Sequence, residues 1–139
     1  MLISTKGRYA LRIMIDLAEH DEGGYIPMKE VAQRQQISLK YIEKIMPVLT
    51  KSEFVEGLHG KGGGYRLVKE PKEYRVGDIL KATEGSLAPV SCLVCEEQEC
   101  DRAEDCRTLF MWVKCKEMLE EYFNSITLSE LMKSQSGVL

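Results

Sequence analysis

No apolar run in this 139-residue chain is long enough to cross a membrane. The first stretch, MLISTKGRYALRIMIDLAEH, is broken by Lys6, Arg8, Arg12 and Asp16, whereas a spanning helix needs about 20 apolar residues. Secretory leader, internal repeat and low-complexity segment are all lacking, which points to a cytoplasmic protein with no membrane partner. A nucleotide fingerprint is missing too. The glycine-rich run His59-Gly60-Lys61-Gly62-Gly63-Gly64 has neither the strand–loop–helix setting nor the Lys-Ser/Thr ending of a phosphate loop. With no catalytic His/Asp set beside it, the chain is not expected to be an enzyme. Strong net charge is also absent, at −3, so overall charge does not announce a nucleic-acid binder.

What is present is uneven. Residues 1–75 hold 13 Lys+Arg and 10 Asp+Glu, leaving +3. Residues 76–139 hold 6 and 12, leaving −6. A basic N-terminal half joined to an acidic C-terminal half is compatible with DNA binding. Hydrophobic residues at 44% and charged residues at 29% are the balance of an ordinary globular domain.

Helical spacing of Tyr9, Ile13 and Leu17, with Ala10 and Met14 beside them, predicts a first helix capped by Ser4 or Thr5 and running to about Glu19. Asp21-Glu22-Gly23-Gly24 is a turn. A second helix is expected to open at Pro27, carry Val31 and Ala32 inward and end near Gln35. After Gln35-Gln36-Ile37, Ser38 caps a third helix with Tyr41, Ile42, Ile45, Met46 and Leu49 on its apolar face. Pro47 predicts a kink or early loosening there. Two short helices across a tight turn form a helix-turn-helix pattern. The strand Phe54–Leu58, the glycine-rich tip and the returning strand Tyr65–Val68 add a β-hairpin wing, to which Lys61, Arg66 and His59 lend positive charge. The expected fold is therefore mainly α with a small hairpin: a winged helix-turn-helix followed by a long C-terminal helix.

Residues 76–82 predict another short helix ending at Gly85. Residues 86–107 lose all periodicity and gather Cys92, Cys95, Cys100 and Cys106 with six acidic residues, Glu96, Glu97, Glu99, Asp101, Glu104 and Asp105. The spacing C-x2-C-x4-C-x5-C is compact enough to bring thiolates to one centre. Thiolates select zinc, copper(I) or iron–sulphur clusters. Only the first pair has zinc-site spacing. A disulfide switch or free thiols are the alternatives. An amphipathic helix from about Arg107 to Asn124 follows, then a capping box, Thr127-Leu128-Ser129-Glu130, for a last short helix. Trp112, Leu119 and Phe123 are expected to bury against a partner chain in a homodimer. Cys115, on the same helix, reads as a small core residue. The division expected is 1–85 for DNA binding, 86–107 for the cysteine loop and 108–139 for dimerisation and the C-terminal helix.

Taken in order, STKGRYALRIMIDLA, ISLKYIEKI, HGKGGGYRL, VGDILKATEG, the cysteine loop and ITLSEL resemble the Rrf-two type of bacterial winged-helix regulators, with its IscR, NsrR and CymR branches. The resemblance spans nearly the whole chain. It implies a homodimeric transcription regulator, a repressor, on a pseudo-palindromic double-stranded promoter site. It implies that Ser38, Leu39, Lys40, Tyr41, Glu43 and Lys44 face the major groove, with Glu43 able to accept a hydrogen bond from a cytosine amino group. By the same resemblance Lys6, Arg8 and Tyr9 approach phosphates. His59 and Lys61, with Gly62 and Gly63, carry the wing toward the minor groove; the family often has Arg where His59 stands here.

For the cysteines the resemblance implies an iron–sulphur cluster, two-iron two-sulphur first and four-iron four-sulphur second, with zinc as the alternative. The fourth ligand of the IscR branch, a His three residues after the last cysteine, is Leu109 here. The Asp of the NsrR branch is Arg8. The extra loop cysteine points instead to ligation by Cys92, Cys95, Cys100 and Cys106, or by Cys92, Cys100 and Cys106 with an outside ligand. The CymR branch lacks such cysteines. The implied regulation is a linkage in which redox, nitric oxide or iron–sulphur status changes the cluster and with it the DNA-competent population.

Overall fold

The computed structural model describes residues 3–95 and 100–132. Among the described residues, six α-helices and one hairpin follow in chain order: α1 (Thr5–Glu19), α2 (Met28–Gln35), α3 (Leu39–Lys51), β1 (Val55–Leu58), β2 (Gly64–Leu67), α4 (Val76–Glu84), α5 (Leu109–Ser125) and α6 (Leu128–Leu131). Glu96, Glu97, Glu99 and residues 133–139 lie outside the described residues. No helix among the described residues is long and apolar enough to cross a membrane.

Local chemistry sets most boundaries. Ser4 caps α1, its hydroxyl accepting from the Gly7 N–H at 3.2 Å, and Ser38 caps α3 by accepting from the Tyr41 N–H at 3.1 Å. Thr127 and Glu130 form the capping box of α6. Pro27 is the N-cap of α2 rather than its first helical residue; its ψ of 138° is extended, so the helix starts one residue later than expected. Gln36 ends α2 in the left-handed region at φ 54°, which turns the chain sharply into α3. Pro47 does not end α3 early, since the helix continues to Lys51.

One core joins most of these elements. Ala10, Ile13, Met14 and Leu17 of α1 pack with Val31 of α2, Ile42, Ile45, Met46 and Leu49 of α3, Val55 of β1 and Ile79 of α4. Leu128 of α6 is fully buried in the same core. The C-terminal segment is thus tied back to the winged-helix body, through Val76 N–H donating to the Ile126 carbonyl and Leu128 N–H donating to that of Tyr74, both at 2.9 Å. A second, smaller cluster of Val76, Leu80 and Leu87 takes in Ile3, Leu11, Phe123, Ile126 and Leu131. Helix α5 crosses α4 at Gly77, where the Asn124 side chain fills the space a β-carbon would need.

Candidate DNA interface and cysteine loop

Helix α3, the second helix of the helix-turn-helix, is held from two sides. Ile42, Ile45, Met46 and Leu49 bury its inner face, while Lys40, Glu43 and Lys44 are exposed. Tyr41 meets Tyr9 of α1 edge-on, ring centroids 5.3 Å apart at 74°. The Arg12 guanidinium lies 5.2 Å from the Tyr9 ring centre. It also donates to the Gln35 side chain and to the Gln35 carbonyl just before the turn.

Asp16 gives the turn its firmest anchor. Its carboxylate is buried, yet accepts from Arg34 at 2.7 and 3.1 Å and from the Gln35 amide at 2.9 Å. A buried carboxylate persists only when so compensated. The same pairing raises the Arg34 pKa above its ordinary value. In the sequence Asp16 is merely a charge interrupting an apolar run, because its partners lie eighteen and nineteen residues away.

The wing is a two-stranded antiparallel hairpin with Val55 opposite Leu67 and Leu58 opposite Gly64. Gly64 sits against the Ile26 backbone, so no β-carbon fits there. Tyr65 and Ile26 exchange two backbone hydrogen bonds of 2.9 Å, stapling the hairpin to the start of α2. At the wing's base the Tyr74 hydroxyl donates to the Phe54 carbonyl at 2.7 Å and accepts from the N–H groups of Val68 and Lys69 at 3.0 and 3.1 Å. Burial pushes its pKa up. Arg66, read from the sequence as wing charge for DNA, is instead committed to Glu56 at 2.6 Å and stacked on Tyr25 at 4.4 Å. His59 and Lys61 are exposed at the tip with Gly62, and Gly63 is half-buried beside them. Lys6 and Arg8 occupy the first turn of α1, Arg8 exposed and donating to the Thr5 hydroxyl at 3.1 Å.

Among its described residues, the cysteine segment makes two 3-10 turns, Ser91–Leu93 and Ala103–Asp105, where the sequence has no period. Leu93 is buried, and its carbonyl accepts from Lys116 of α5 at 3.2 Å. Cys92, Cys95, Cys100, Cys106 and Cys115 are all free thiols. Cys100 and Cys106 line one pocket with Arg102, Asp105 and Arg107. The Thr108 hydroxyl lies 3.5 Å from the Cys106 sulphur, and this hydrogen bond, with the Thr108 and Leu109 amides and the charge of Arg102, lowers the Cys106 pKa. The donor set suits a thiophilic metal centre. Among the described residues, however, no three His, Cys, Asp or Glu side chains come together in a metal-holding group.

Helix α5 buries none of its residues. Phe123 packs inward on Val76, Leu80 and Leu87, rather than outward as expected, while Trp112 and Leu119 are half-buried. The exposed apolar surface of α5 includes Phe110 (77% exposed), Met111, Met118 and Tyr122. With Cys115 and Leu119 these residues line an open groove of about 680 Å³. The sequence spacing supplies both stripes and does not say which one faces inward.

A helix-turn-helix with a stapled wing, an exposed basic edge on α3 and an adjoining cysteine loop define a DNA-binding transcription regulator, not an enzyme. Residues 3–134 match the Rrf2 family, described as iron-dependent transcriptional regulators. The chain belongs to that family. It is 35% identical to the HTH-type transcriptional regulator IscR of Serratia proteamaculans, over 97% of this chain and 81% of that protein. Among solved structures it is similar to CymR, the global cysteine regulator of B. subtilis, with a TM-score of 0.77 and 32% identity over 98% and 99% of the two chains. The T. potens IscR structure matches at a TM-score of 0.71 and 35% identity, over 94% of this chain and 85% of that one.

Proposed function

We propose that the chain is a homodimeric repressor whose DNA affinity is set by an iron–sulphur centre on the cysteine loop. The observation that carries this reading is the set of four free thiols, Cys92, Cys95, Cys100 and Cys106, on a short segment between the winged-helix body and an uncovered apolar helix. All four would ligate; the weaker version uses Cys92, Cys100 and Cys106 with an outside donor. A bound cluster would add iron-centred redox chemistry to that of the thiols themselves.

Toward DNA, Ser38, Leu39, Lys40, Tyr41, Glu43 and Lys44 enter the major groove. Lys6, Arg8 and Tyr9 meet phosphates, and the tip with His59, Lys61, Gly62 and Gly63 reaches the minor groove. Two copies pair through α5, along the stripe of Phe110, Met111, Met118, Leu119 and Tyr122, with Trp112 beside it. Two copies place two recognition helices on a pseudo-palindrome. A two-iron two-sulphur cluster comes first, a four-iron four-sulphur cluster second.

Anaerobic purification tests this directly. Brown protein with iron and acid-labile sulphide, lost on Cys→Ala change at the loop cysteines, supports the reading. Colourless protein with stoichiometric zinc overturns it. A second reading, a thiol switch on the same fold, is favoured by the lowered pKa of Cys106 and by the similarity to CymR, solved also in an oxidized form from Staphylococcus aureus. Metal-free protein whose DNA affinity responds to oxidant and recovers with reductant selects that reading.

A further inference from the structure

The end of α4, from which the chain enters the cysteine loop, meets the N-terminus of α1 at one side chain. Glu84 is the last residue of α4, and Gly85 begins the run into the cysteines. One oxygen of Glu84, Oε1, accepts from the Ser4 backbone N–H at 2.9 Å and from the Ser4 hydroxyl at 2.7 Å. Taking the hydroxyl proton leaves a lone pair on Ser4 Oγ for the Gly7 N–H, the bond that caps α1. Gly7 completes the arrangement, because the Glu84 carboxylate occupies the space a β-carbon would fill.

A second, apolar link runs beside the first. Leu87, at the entry to the loop, is buried with Val76 and Leu80, and Ile3 packs on that cluster along with Phe123 of α5. The first cysteine turn is itself fastened to α5 through Lys116 and the Leu93 carbonyl. The segment that leads into the cysteines and the segment that leads into Lys6 and Arg8 therefore rest on the same few residues.

We infer that Glu84 is a positioning residue. It holds the N-terminus of α1, with Lys6 and Arg8, in its DNA-binding place, and it passes changes in the cysteine loop to that surface. The relay rests on the reading that the loop's ligand state controls DNA affinity; the positioning role does not. A shared contact alone does not prove coupling, so the test measures coupling.

The probe is a duplex selected from a random pool by the wild-type protein, with affinity followed by fluorescence anisotropy. E84A is expected to weaken binding roughly tenfold, while E84Q, which keeps an acceptor oxygen, stays within about twofold. K6A is expected to cost less in the E84A background than alone. Wild-type affinity in E84A, or strictly additive losses with K6A, overturns the positioning role. S4A removes the hydroxyl half of the link together with the cap of α1 and keeps the Ser4 N–H bond, so the cycle can be run with it, with a smaller expected loss, if E84A does not fold. The relay is read as the ratio of affinities between cluster-loaded and cluster-free protein. In E84A that ratio should shrink to within about twofold at unchanged iron and sulphide content, and an unchanged ratio overturns the relay. If wild-type protein shows no such ratio, the cluster reading fails, while the K6A cycle still decides the role of Glu84.

Discussion

Between residues 5 and 87 the chain fully buries Ile13, Met14, Ile42, Ile45, Leu49, Ile79 and Leu87, and hydroxyl caps or stapling hydrogen bonds close its helices and wing. Helix α5 is seventeen residues long and buries none. Its outer stripe leaves Phe110 and Tyr122 at 77% and 62% exposure. A single chain rarely leaves so much contiguous apolar surface uncovered without an interaction to cover it. The winged-helix half is finished within its own chain, with Leu128 and Phe123 contributed by the C-terminal segment, whereas the loop and the outer stripe of α5 have the composition of a part completed by something else. Stability should therefore be intrinsic in the first region and dependent on association in the second.

The sharpest way to break that contrast is to mutate both sides. Ile45→Ala should remove about 2–5 kcal/mol through the cavity it leaves, and by the same amount at every protein concentration. Met118→Ala should change stability only where the protein is associated, so its effect should grow with concentration. Urea unfolding at two concentrations a hundredfold apart checks both. A concentration-independent loss in Met118→Ala would show that α5 is finished within its own chain.

Within the winged-helix half, the anchors made of polar groups rank next. Asp16→Ala removes the acceptor of Arg34 and Gln35 and should cost about 2 kcal/mol, since Arg34 still reaches solvent. It should also weaken DNA binding, because Gln35 precedes the turn into α3. Thermal unfolding and anisotropy read the two effects.

Tyr74→Phe leaves the Phe54 carbonyl and the amides of Val68 and Lys69 without their partner and should cost about 1–2 kcal/mol. The folded-state pKa of Tyr74 is raised by burial, so the neutral phenol is the form the fold prefers. Its contribution is complete below the ordinary tyrosine value of about 10 and is lost as pH rises through the folded-state value. Wild type and Tyr74→Phe should therefore converge in stability in strong alkali.

How much of this was legible in the sequence follows from the range of the interactions. The caps at Ser4, Ser38 and Thr127 act over three residues, and the sequence displays them. The hairpin is as local, with paired strands flanking a glycine run. The Asp16 anchor joins residues far apart in the chain, so no window contains it. On α5, Phe123 on one stripe and Phe110, Met118 and Tyr122 on the next have the same helical spacing; only the position of α4 decides which turns inward. The commitment of Arg66 to Glu56 depends on strand register, which fixes Glu56 opposite Arg66. Glu84 is an ordinary helix-end carboxylate until Ser4 is seen beside it. The cysteine loop has no period to read, and its 3-10 turns carry no signature in the sequence.

The smallest expected effect divides the wing itself. Lys61 stands at the exposed tip, whereas Arg66, a few residues on, is engaged by Glu56 and Tyr25. A cation that neutralises one phosphate contributes about 0.9 to the slope of log affinity against log salt. Lys61→Ala should therefore lower that slope by about one and weaken binding evenly across sequences. Arg66→Ala should leave the slope nearly unchanged, because its charge is already satisfied within the hairpin, and should act instead by loosening the wing. Anisotropy over a series of salt concentrations separates the two, and equal changes in slope would mean that Arg66 leaves Glu56 when DNA arrives.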